Sequence, residues 1–413
     1  MLINRNTHFL SGDAYMETLA LLTETLPNNK IMNTSSTSSH FPFSDLPYDI
    51  ITHILATLPV KTLAKFRAVC TSWRTYIDSP SFISKHRNLY NKEHSKNSHL
   101  LIEETYSPRR FCLQRVTNGQ KLTTLVFLPS FSAHPIIPWI YGACNGLFLM
   151  RMNGIYLWNP FLRKSLILLP CPIVTPFQFT HYVIGFSTSY DDYKVLAYRL
   201  RTINNGNEYE PAMAVYSLRN HIWTIKINPV NVDAWTSLRA PFSRNKYVYC
   251  GWIVYWFPEG DTKIIHSFNF NNEEFNNVAV LEPLKECMSL VLFSIGELLA
   301  VMSSSSIWVM EKHDREYTWR EWSSESWIKN VFDILEEQIL EEEIPISPKV
   351  FFIEQSNTFL IIGFWGGIQF YEVTSQKLET LRNKDARFYF WGAYVDTLAL
   401  ITGTEGMMFT RFP

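Results

Sequence analysis

The stretch FSDLPYDIITHILATLPVKTLAKFRAVCTSWRTYIDSPSF, residues 43–82, decides the N-terminal fold of this 413-residue chain. Its apolar residues recur at steps near four, which predicts one apolar helical face; they are Leu46, Ile50, Ile54, Leu55 and Leu58. Pro47 and Pro59 each stand where a first helical turn tolerates proline. A second helix is predicted through Leu63, Phe66 and Val69, and a third segment holds Cys70, Trp73, Tyr76 and Ile77 before Ser79-Pro80 closes it.

Three helices in about forty residues bury little apolar surface by themselves, so their apolar faces need a partner. One interpretation is a small helical subdomain packed on the rest of the chain, and the periodicity alone favours it. The other interpretation is a docking surface that a foreign subunit covers. The residue types shift this balance towards the docking surface.

The order L-P-x-x-I-I-x-x-I-L-x-x-L-P-V-K-x-L-x-x-F-x-x-V-C-x-x-W resembles the F-box over residues 44–82, within an N-terminal domain that we place at 43–90. The resemblance implies docking on a Skp-type adaptor, which links the F-box to a cullin scaffold in a ubiquitin ligase. Carried over position by position, the implied adaptor-facing residues are Leu46, Pro47, Ile50, Ile51, Ile54, Leu58, Pro59, Leu63, Val69, Cys70 and Trp73. Some of them must also hold the helices together, and the sequence does not separate the two groups.

The charge balance gives no reason to expect nucleic acid or an anionic membrane as a partner. The chain has 37 basic and 38 acidic side chains and a net charge of −1, so no global field attracts a polyanion. The helical stretch is locally basic. Its charges would suit an acidic partner protein as well as nucleic acid, and the support for nucleic acid is weak. The six cysteines form no C-x-x-C pair, so a local zinc or redox motif is absent from the sequence.

The N-terminus and the apolar runs give no targeting or spanning signal. Residues 1–40 are polar and rich in serine towards their end, which predicts a disordered leader. The most apolar window, residues 288–302, is interrupted by Gly296-Glu297, and it is too short to span a membrane. It predicts two buried strands around a turn. The expected location is the nucleus or the cytoplasm.

From residue 98 to residue 413, short strand-like runs alternate with turns rich in Gly, Asn, Pro and Ser. Aromatic residues mark similar points of a rough repeat, at Trp158, Tyr216, Phe268, Trp308 and Phe370. Their spacing suits propeller blades, whose repeats are about 40–50 residues. We therefore predict an α+β multidomain chain: a three-helix unit followed by an all-β propeller-like domain of five or six blades. A stack of β-sandwiches is the alternative.

A second series of motifs follows in order along this region. They are CNGL at 144–147, LWNP at 157–160, GFSTSYDDYKVLAY at 185–198, VYSLRNHIW at 215–223, GWIVYWF at 251–257, SFNFNNEEF at 267–275 and SSIWVME at 305–311. The series resembles the F-box-associated domain of plant F-box proteins, which is related to kelch-type propellers. The stretch VYCGWIVYWF departs from the pattern because Trp252 and Ile253 are bulkier than the residues usual there.

The sequence nominates no catalytic, cofactor-binding or metal-binding residue. It contains no G-x-S-x-G, phosphate-loop, G-x-G-x-x-G or H-E-x-x-H motif, and its histidines are dispersed. Asp191-Asp192 is either a carboxylate pair for acid–base chemistry or a polar turn, and the flanking residues favour the turn.

Three functions are compatible with this reading. The first is the substrate-recognition subunit of an SCF-type ubiquitin ligase, in which the F-box binds the adaptor and the propeller binds a target protein. The second is a non-catalytic propeller scaffold outside a ligase, and the third is a propeller enzyme such as a sugar-processing hydrolase. The target-binding residues are unknown; the loop-rich candidates are 171–183, 201–211, 231–246 and 312–349, with Trp235 and Trp327 as candidate anchors.

Overall fold

The fold is taken from a computed structural model of the chain. It describes residues 48–94, 98–104, 110–117, 121–127, 139–162, 164–174, 180–203, 208–226, 247–257, 264–287, 289–313, 316–340, 349–362, 367–382, 386–393, 395–400 and 409–411. The leader predicted at 1–40, together with Leu46, Pro47 and Trp235, lies outside these residues.

Four helices open the described chain: α1 (Tyr48–Ala56), α2 (Val60–Phe66), α3 (Thr71–Ile77) and α4 (Pro80–His94). Pro59 precedes α2 with a φ of −58°, as expected where proline opens a helix. The Sγ atom of Cys70 accepts a hydrogen bond from the Trp73 amide and caps α3. α4 was not predicted. It begins at Ser79-Pro80, where the Ser79 hydroxyl accepts the Phe82 amide at 3.3 Å, so this pair opens a helix as well as closing one.

The described strands form six antiparallel sheets, which we number as blades. Blade 1 holds β1 (Ser98–Glu104), β2 (Arg110–Thr117) and β3 (Lys121–Phe127), and blade 2 holds β4 (Trp139–Cys144), β5 (Leu147–Arg151), β6 (Ile155–Asn159) and β7 (Lys164–Ile167). Blade 3 holds β8 (His181–Ser187), β9 (Asp192–Ile203), β10 (Glu208–Ser217) and β11 (Ile222–Lys226), and blade 4 holds β12 (Tyr247–Cys250), β13 (Ile253–Trp256), β14 (Ile264–Asn269) and β15 (Glu274–Ala279).

Blade 5 holds β16 (Val291–Ile295), β17 (Leu298–Met302), β18 (Ile307–His313) and β19 (Glu316–Ser323), and blade 6 holds β20 (Lys349–Ile353), β21 (Thr358–Ile362), β22 (Gly367–Glu372) and β23 (Lys377–Arg382). A short helix, α5 (Glu282–Lys285), precedes blade 5, and a longer one, α6 (Trp327–Leu340), connects blade 5 to blade 6. A 3-10 turn spans Glu354–Ser356.

Two strands from the end of the chain return to its beginning. β24 (Ala386–Ala393) pairs with β1 and completes blade 1, and β25 (Phe409–Arg411) pairs with β7 as a fifth strand of blade 2. The first strands of neighbouring blades lie side by side, as β4 does with β8 and β24 does with β4. A strand from the chain end that completes the first blade is a propeller feature, and radial repetition of blades keeps sheet edges short and protected.

The core lies between successive blades. Blades 2 and 3 enclose one buried apolar cluster, blades 3 and 4 a second, blades 4 and 5 a third, and blades 5 and 6 a fourth that includes α6. Gly185 illustrates how tightly two blades approach. A Cβ atom at this position would lie 2.2 Å from the ring of Phe270 in the next blade, so the close contact requires glycine.

The five aromatic markers of the sequence repeat fall on the third strand of five successive blades. Trp158 lies on β6, Tyr216 on β10, Phe268 on β14, Trp308 on β18 and Phe370 on β22. The propeller prediction is therefore confirmed, and so are the two strands predicted at 288–302, which are β16 and β17 around Gly296.

Two further sequence patterns have structural outcomes. Asn145 and Gly146 both have positive φ, 41° and 82°, in the tight β4–β5 hairpin, where the pair Asn-Gly is favoured. The acidic insertion WIKNVFDILEEQILEEE, residues 327–343, has a helical pattern, and it forms α6 over Trp327–Leu340. Trp327, Ile328 and Val331 are buried against blades 5 and 6. The structure describes no side chain of the acidic run at 336–343, so its expected projection from the propeller rim stays a prediction. Trp327 is thus a core residue rather than an exposed anchor for a target.

Within the described ranges, no helix is long and apolar enough to cross a membrane. The side chains described there also contain no group of three or more His, Cys, Asp or Glu that could hold a metal ion. The five cysteines with described side chains are free thiols.

Candidate functional site

Among the described residues of the helical unit, three large apolar side chains are exposed to solvent. Ile50 is 47% exposed, Ile54 is 36% exposed and Val69 is 62% exposed. Ile50 and Ile54 are four residues apart on α1 and therefore lie on the same side of that helix. Val69 follows the end of α2. We call these three residues the exposed apolar set; Pro59, between α1 and α2, is exposed as well.

Other residues that the resemblance implied as adaptor-facing are buried inside this chain. Ile51, Leu63 and Trp73 have at most 6% of their surface exposed, while Leu58 and Cys70 are half-buried. Each successive residue of a helix turns by about 100°, so Ile51 and Leu55 lie away from the side that Ile50 and Ile54 share. The predicted single face of Ile50, Ile54 and Leu55 is therefore wrong: Leu55 is 2% exposed and belongs to the core.

Polar contacts fix the helices of the unit relative to one another. Arg67, just after α2, forms a two-pronged pair with Asp78, just after α3, at 2.5 and 2.6 Å. The Tyr76 hydroxyl donates to the Thr52 hydroxyl at 2.5 Å and ties α3 to α1. These bonds hold the backbone that carries the exposed apolar set.

Arg87 of α4 connects the helical unit to blade 3. Its guanidinium forms an ion pair with Asp191 in the β8–β9 turn, and its Cζ atom lies 4.3 Å from the ring centroid of Phe186 and 5.8 Å from that of Tyr193. Arg87 is only 7% exposed. A charge buried to this extent is tolerated because it is paired and lies over aromatic faces.

A weaker second contact joins the helical unit to blade 2. The Nζ atom of Lys61, on α2, lies 5.3 Å from the ring centroid of Phe161 in the β6–β7 turn. Lys61 is exposed, so this cation–π contact contributes on the order of 0.5–1 kcal/mol. The helical unit is therefore in contact with two adjacent blades.

The polar residues of the β8–β9 hairpin each have a defined partner. Asp192 accepts hydrogen bonds from the Ser217 hydroxyl at 2.6 Å and from the Arg219 amide at 2.8 Å. Burial raises the pKa of the Asp192 carboxyl, and these hydrogen bonds oppose that effect. Burial also raises the pKa of Tyr193 to about 12, so its hydroxyl stays protonated and donates to the Asn145 carbonyl at 2.7 Å.

The same hairpin is joined to blade 4. The Nζ atom of Lys194 lies 2.7 Å from Glu273 Oε1 in the β14–β15 turn, and Asn271 Oδ1 accepts hydrogen bonds from Ser187 and the Ser189 amide at 3.0 and 3.2 Å. Asp191 itself has a positive φ of 50°, which aspartate tolerates in turns. Asp191 therefore lies in the turn and Asp192 begins β9, and the two carboxylates contact different neighbours.

Comparison with known proteins assigns both parts of the chain. A family model described as F-box associated beta propeller domain matches residues 101–395, and an F-box domain model matches residues 43–85. The chain belongs to the F-box-associated β-propeller family. The helical unit is its F-box, and the six blades form its F-box-associated propeller.

Curated relatives include several Arabidopsis thaliana F-box proteins. An F-box/kelch-repeat protein is 23% identical over 69% of this chain and 80% of its own length, and an F-box protein is 25% identical over 66% and 71%. Among solved structures, KlAtg21 in complex with the coiled-coil of AgAtg16 aligns with 70% of this chain and 84% of its own at 12% identity and a TM-score of 0.34. That TM-score is too low to carry an argument.

Sequence reasoning missed the contact between Arg87 and the β8–β9 hairpin. The notable signal is the spacing of Phe82, His86 and Tyr90, which are all buried on α4 and would have predicted a fourth helix. Nothing in the sequence separates Arg87 from a solvated basic residue, because its partner Asp191 lies 104 residues away. None of the residues implied as adaptor-facing is tested by these contacts, and their role remains a prediction.

Proposed function

We propose that this protein is the substrate-recognition subunit of an SCF-type ubiquitin ligase. The F-box binds a Skp-type adaptor, the adaptor connects it to a cullin scaffold, and the propeller binds a target protein that is ubiquitinated and degraded. The protein takes no part in bond making. It raises the effective concentration of the target's lysines near a charged ubiquitin-conjugating enzyme, and it does so in the nucleus or the cytoplasm.

The exposed apolar set is the observation that carries this proposal. Ile50, Ile54 and Val69 remain exposed although Ile51, Leu55 and Leu63 beside them are buried. Burying an aliphatic side chain of this size completely contributes about 1.5–3 kcal/mol. A few such anchors, packed against a foreign subunit, are typical of the residues that dominate an interface. Leu46 and Pro47 complete the proposed adaptor contacts from sequence.

The adaptor interface is tested by replacing one exposed anchor with a charge. We expect Ile54→Glu to reduce binding of a recombinant Skp-type adaptor by about 2 kcal/mol or more, because a carboxylate buried at the interface would lack a partner. Its thermal midpoint should match that of the parent, since Ile54 contributes little to the core. Isothermal titration and thermal unfolding measure the two effects.

Ile222→Glu is the matched control for this experiment. Ile222 lies on β11 of blade 3 and is 56% exposed, so the same substitution is made at a similar degree of exposure away from the F-box. We expect it to leave adaptor affinity unchanged. If Ile54→Glu binds the adaptor as tightly as Ile222→Glu does, the exposed apolar set is not the adaptor interface. A parent protein that binds no adaptor would make a scaffold outside a ligase the better description.

A further inference from the structure

We propose that Arg87 fixes the direction in which the propeller points from the adaptor-bound F-box, and thereby determines which lysines the ligase modifies. Only the second half of this inference, the choice of lysine, rests on the proposed function. Arg87 acts here as a positioning residue, because its contacts lie within the chain.

Two consecutive residues of α4 contact the two domains, the first in the F-box and the second in the propeller. His86 Nε2 lies 2.9 Å from the Leu58 carbonyl oxygen, at the turn between α1 and α2, and its ring stacks on Tyr90 with the centroids 5.0 Å apart. The next residue, Arg87, is paired with Asp191 of the propeller. Since both residues belong to one turn of the same helix, no flexible segment separates the F-box contact from the propeller contact.

The environment of Arg87 restricts its guanidinium in more than one direction. Phe186 packs 4.3 Å from the Cζ atom, Tyr193 lies beyond it at 5.8 Å, and Asp191 supplies the opposite charge. The two rings also pack against each other, with centroids 5.0 Å apart at 70°. A planar cation fits between a ring face and a carboxylate in few orientations, so the contact sets an angle as well as a distance.

The propeller side of the contact is itself rigid. Phe186 and Tyr193 belong to paired positions of β8 and β9, and the turn between these strands is held to blade 4 by Asn271 at 3.0 Å from the Ser187 hydroxyl. Tyr193 is held to the Asn145 carbonyl of blade 2. Blades 2, 3 and 4 are therefore fixed relative to the hairpin that Arg87 contacts.

The orientation is measured on the free protein, without any ligase component. Spin labels on a non-natural amino acid are placed at Thr75 of α3 and Thr380 of β23, which are both exposed, and the distance distribution is recorded by double electron–electron resonance. We expect one narrow distribution for the parent, a broader distribution with additional distances for Arg87→Ala and Asp191→Asn, and an intermediate width for Arg87→Lys, which keeps the charge without the planar group.

Two variants keep this measurement decisive. Arg219→Ala removes a nearby guanidinium that bonds the Tyr190 carbonyl at 2.8 Å within blade 3, and it should leave the distribution narrow. Asp191→Asn changes the propeller side of the contact and leaves the F-box helices intact. If Arg87→Ala unfolds α4, Asp191→Asn alone shows whether the Arg87–Asp191 pair narrows the distance distribution. An unchanged distribution in Asp191→Asn and in folded Arg87→Ala would overturn the proposal.

The choice of lysine is measured in a ligase reconstituted with the adaptor and cullin, using the receptor's own exposed lysines as the probe. Lys329 lies on α6 and Lys377 begins β23. We expect Asp191→Asn to shift ubiquitin from one of these lysines to the other while adaptor affinity stays at the parent value. An unchanged ratio together with a broadened distance distribution would overturn the lysine-selection half. A parent protein that binds no adaptor would instead refute the proposed function, and the distance measurement would still stand.

Discussion

At the scale of single residues, Glu273 shows how one side chain joins two blades. Its carboxylate accepts from Lys194 at 2.7 Å and pairs with Lys226. Burial by itself raises the pKa of Glu273, but hydrogen bonds and charges from both lysines outweigh it and lower the pKa below 4.5. We expect Glu273→Gln to lower the free energy of unfolding by about 2 kcal/mol at pH 7, since a charge-assisted hydrogen bond is lost and Lys194 stays buried.

The pH dependence of the same variant follows from the direction of the pKa shift. A carboxyl whose folded-state pKa is lowered contributes stability above its unfolded pKa and loses it as the pH falls through the folded value. The difference in unfolding free energy between parent and Glu273→Gln should therefore be constant near neutrality and should shrink below about pH 4.5. Urea titrations at several pH values measure it, with Glu286→Gln, at an exposed position, as the control. A difference that does not change with pH would contradict this account.

At the scale of elements, α6 is part of the buried core between blades 5 and 6. Its buried residues follow helical spacing, at Trp327, Ile328, Val331, Phe332 and Leu335. We expect Ile328→Ala to destabilise the propeller by about 2–5 kcal/mol, the usual cost of truncating a fully buried aliphatic side chain. Lys329→Ala, at the next and exposed position, should change stability by less than about 0.5 kcal/mol. Chemical unfolding compares the two; equal effects would show that α6 does not pack on the blades in solution.

Element types were largely predictable from the sequence, whereas element boundaries and faces were not. Phe268 and Phe370 marked third strands because an aromatic residue recurs on the third strand of five successive blades. The second helix was predicted to include Val69, but α2 ends at Phe66. Periodicity near four also grouped Leu55 with Ile54, although one helical step separates a core residue from an exposed one. Apolar character alone does not say which side of a short helix its own domain covers.

The part of the site that could not be predicted depends on contacts between distant residues. The motif around Asp191 was recognisable as a family pattern, yet its physical role appears only once Arg87 of α4 lies against it. Likewise, the need for glycine at position 185 follows from a ring in the next blade. Local sequence rules describe hairpins and helix starts, but they contain no information on which hairpin a distant helix contacts.

At the scale of the whole molecule, the propeller is a ring closed by the end of its own chain. β24 completes blade 1 beside β1, and the segment after it is bound to blade 2 through the amide of Asn159. The Nδ2 atom of Asn159 donates to the carbonyls of Thr397 and Ala399 at 2.8 and 2.9 Å. The LWNP motif therefore has a second role besides ending a strand, because its asparagine holds the closing segment.

Asn159→Ala tests whether this closure stabilises the whole ring. The side chain is fully buried, so its removal leaves two buried carbonyls without their donor, at an expected cost of about 1–3 kcal/mol for each unsatisfied group. We expect the variant to unfold at lower denaturant concentration and to expose the segment at 395–400 to proteolysis before the blades unfold, since that segment depends on Asn159. Asn220→Ala, in an exposed turn of blade 3, should behave as the parent does. If Asn159→Ala is cleaved no faster than Asn220→Ala, the ring is held closed by strand pairing between β24 and β1, and the asparagine contributes only to the local turn.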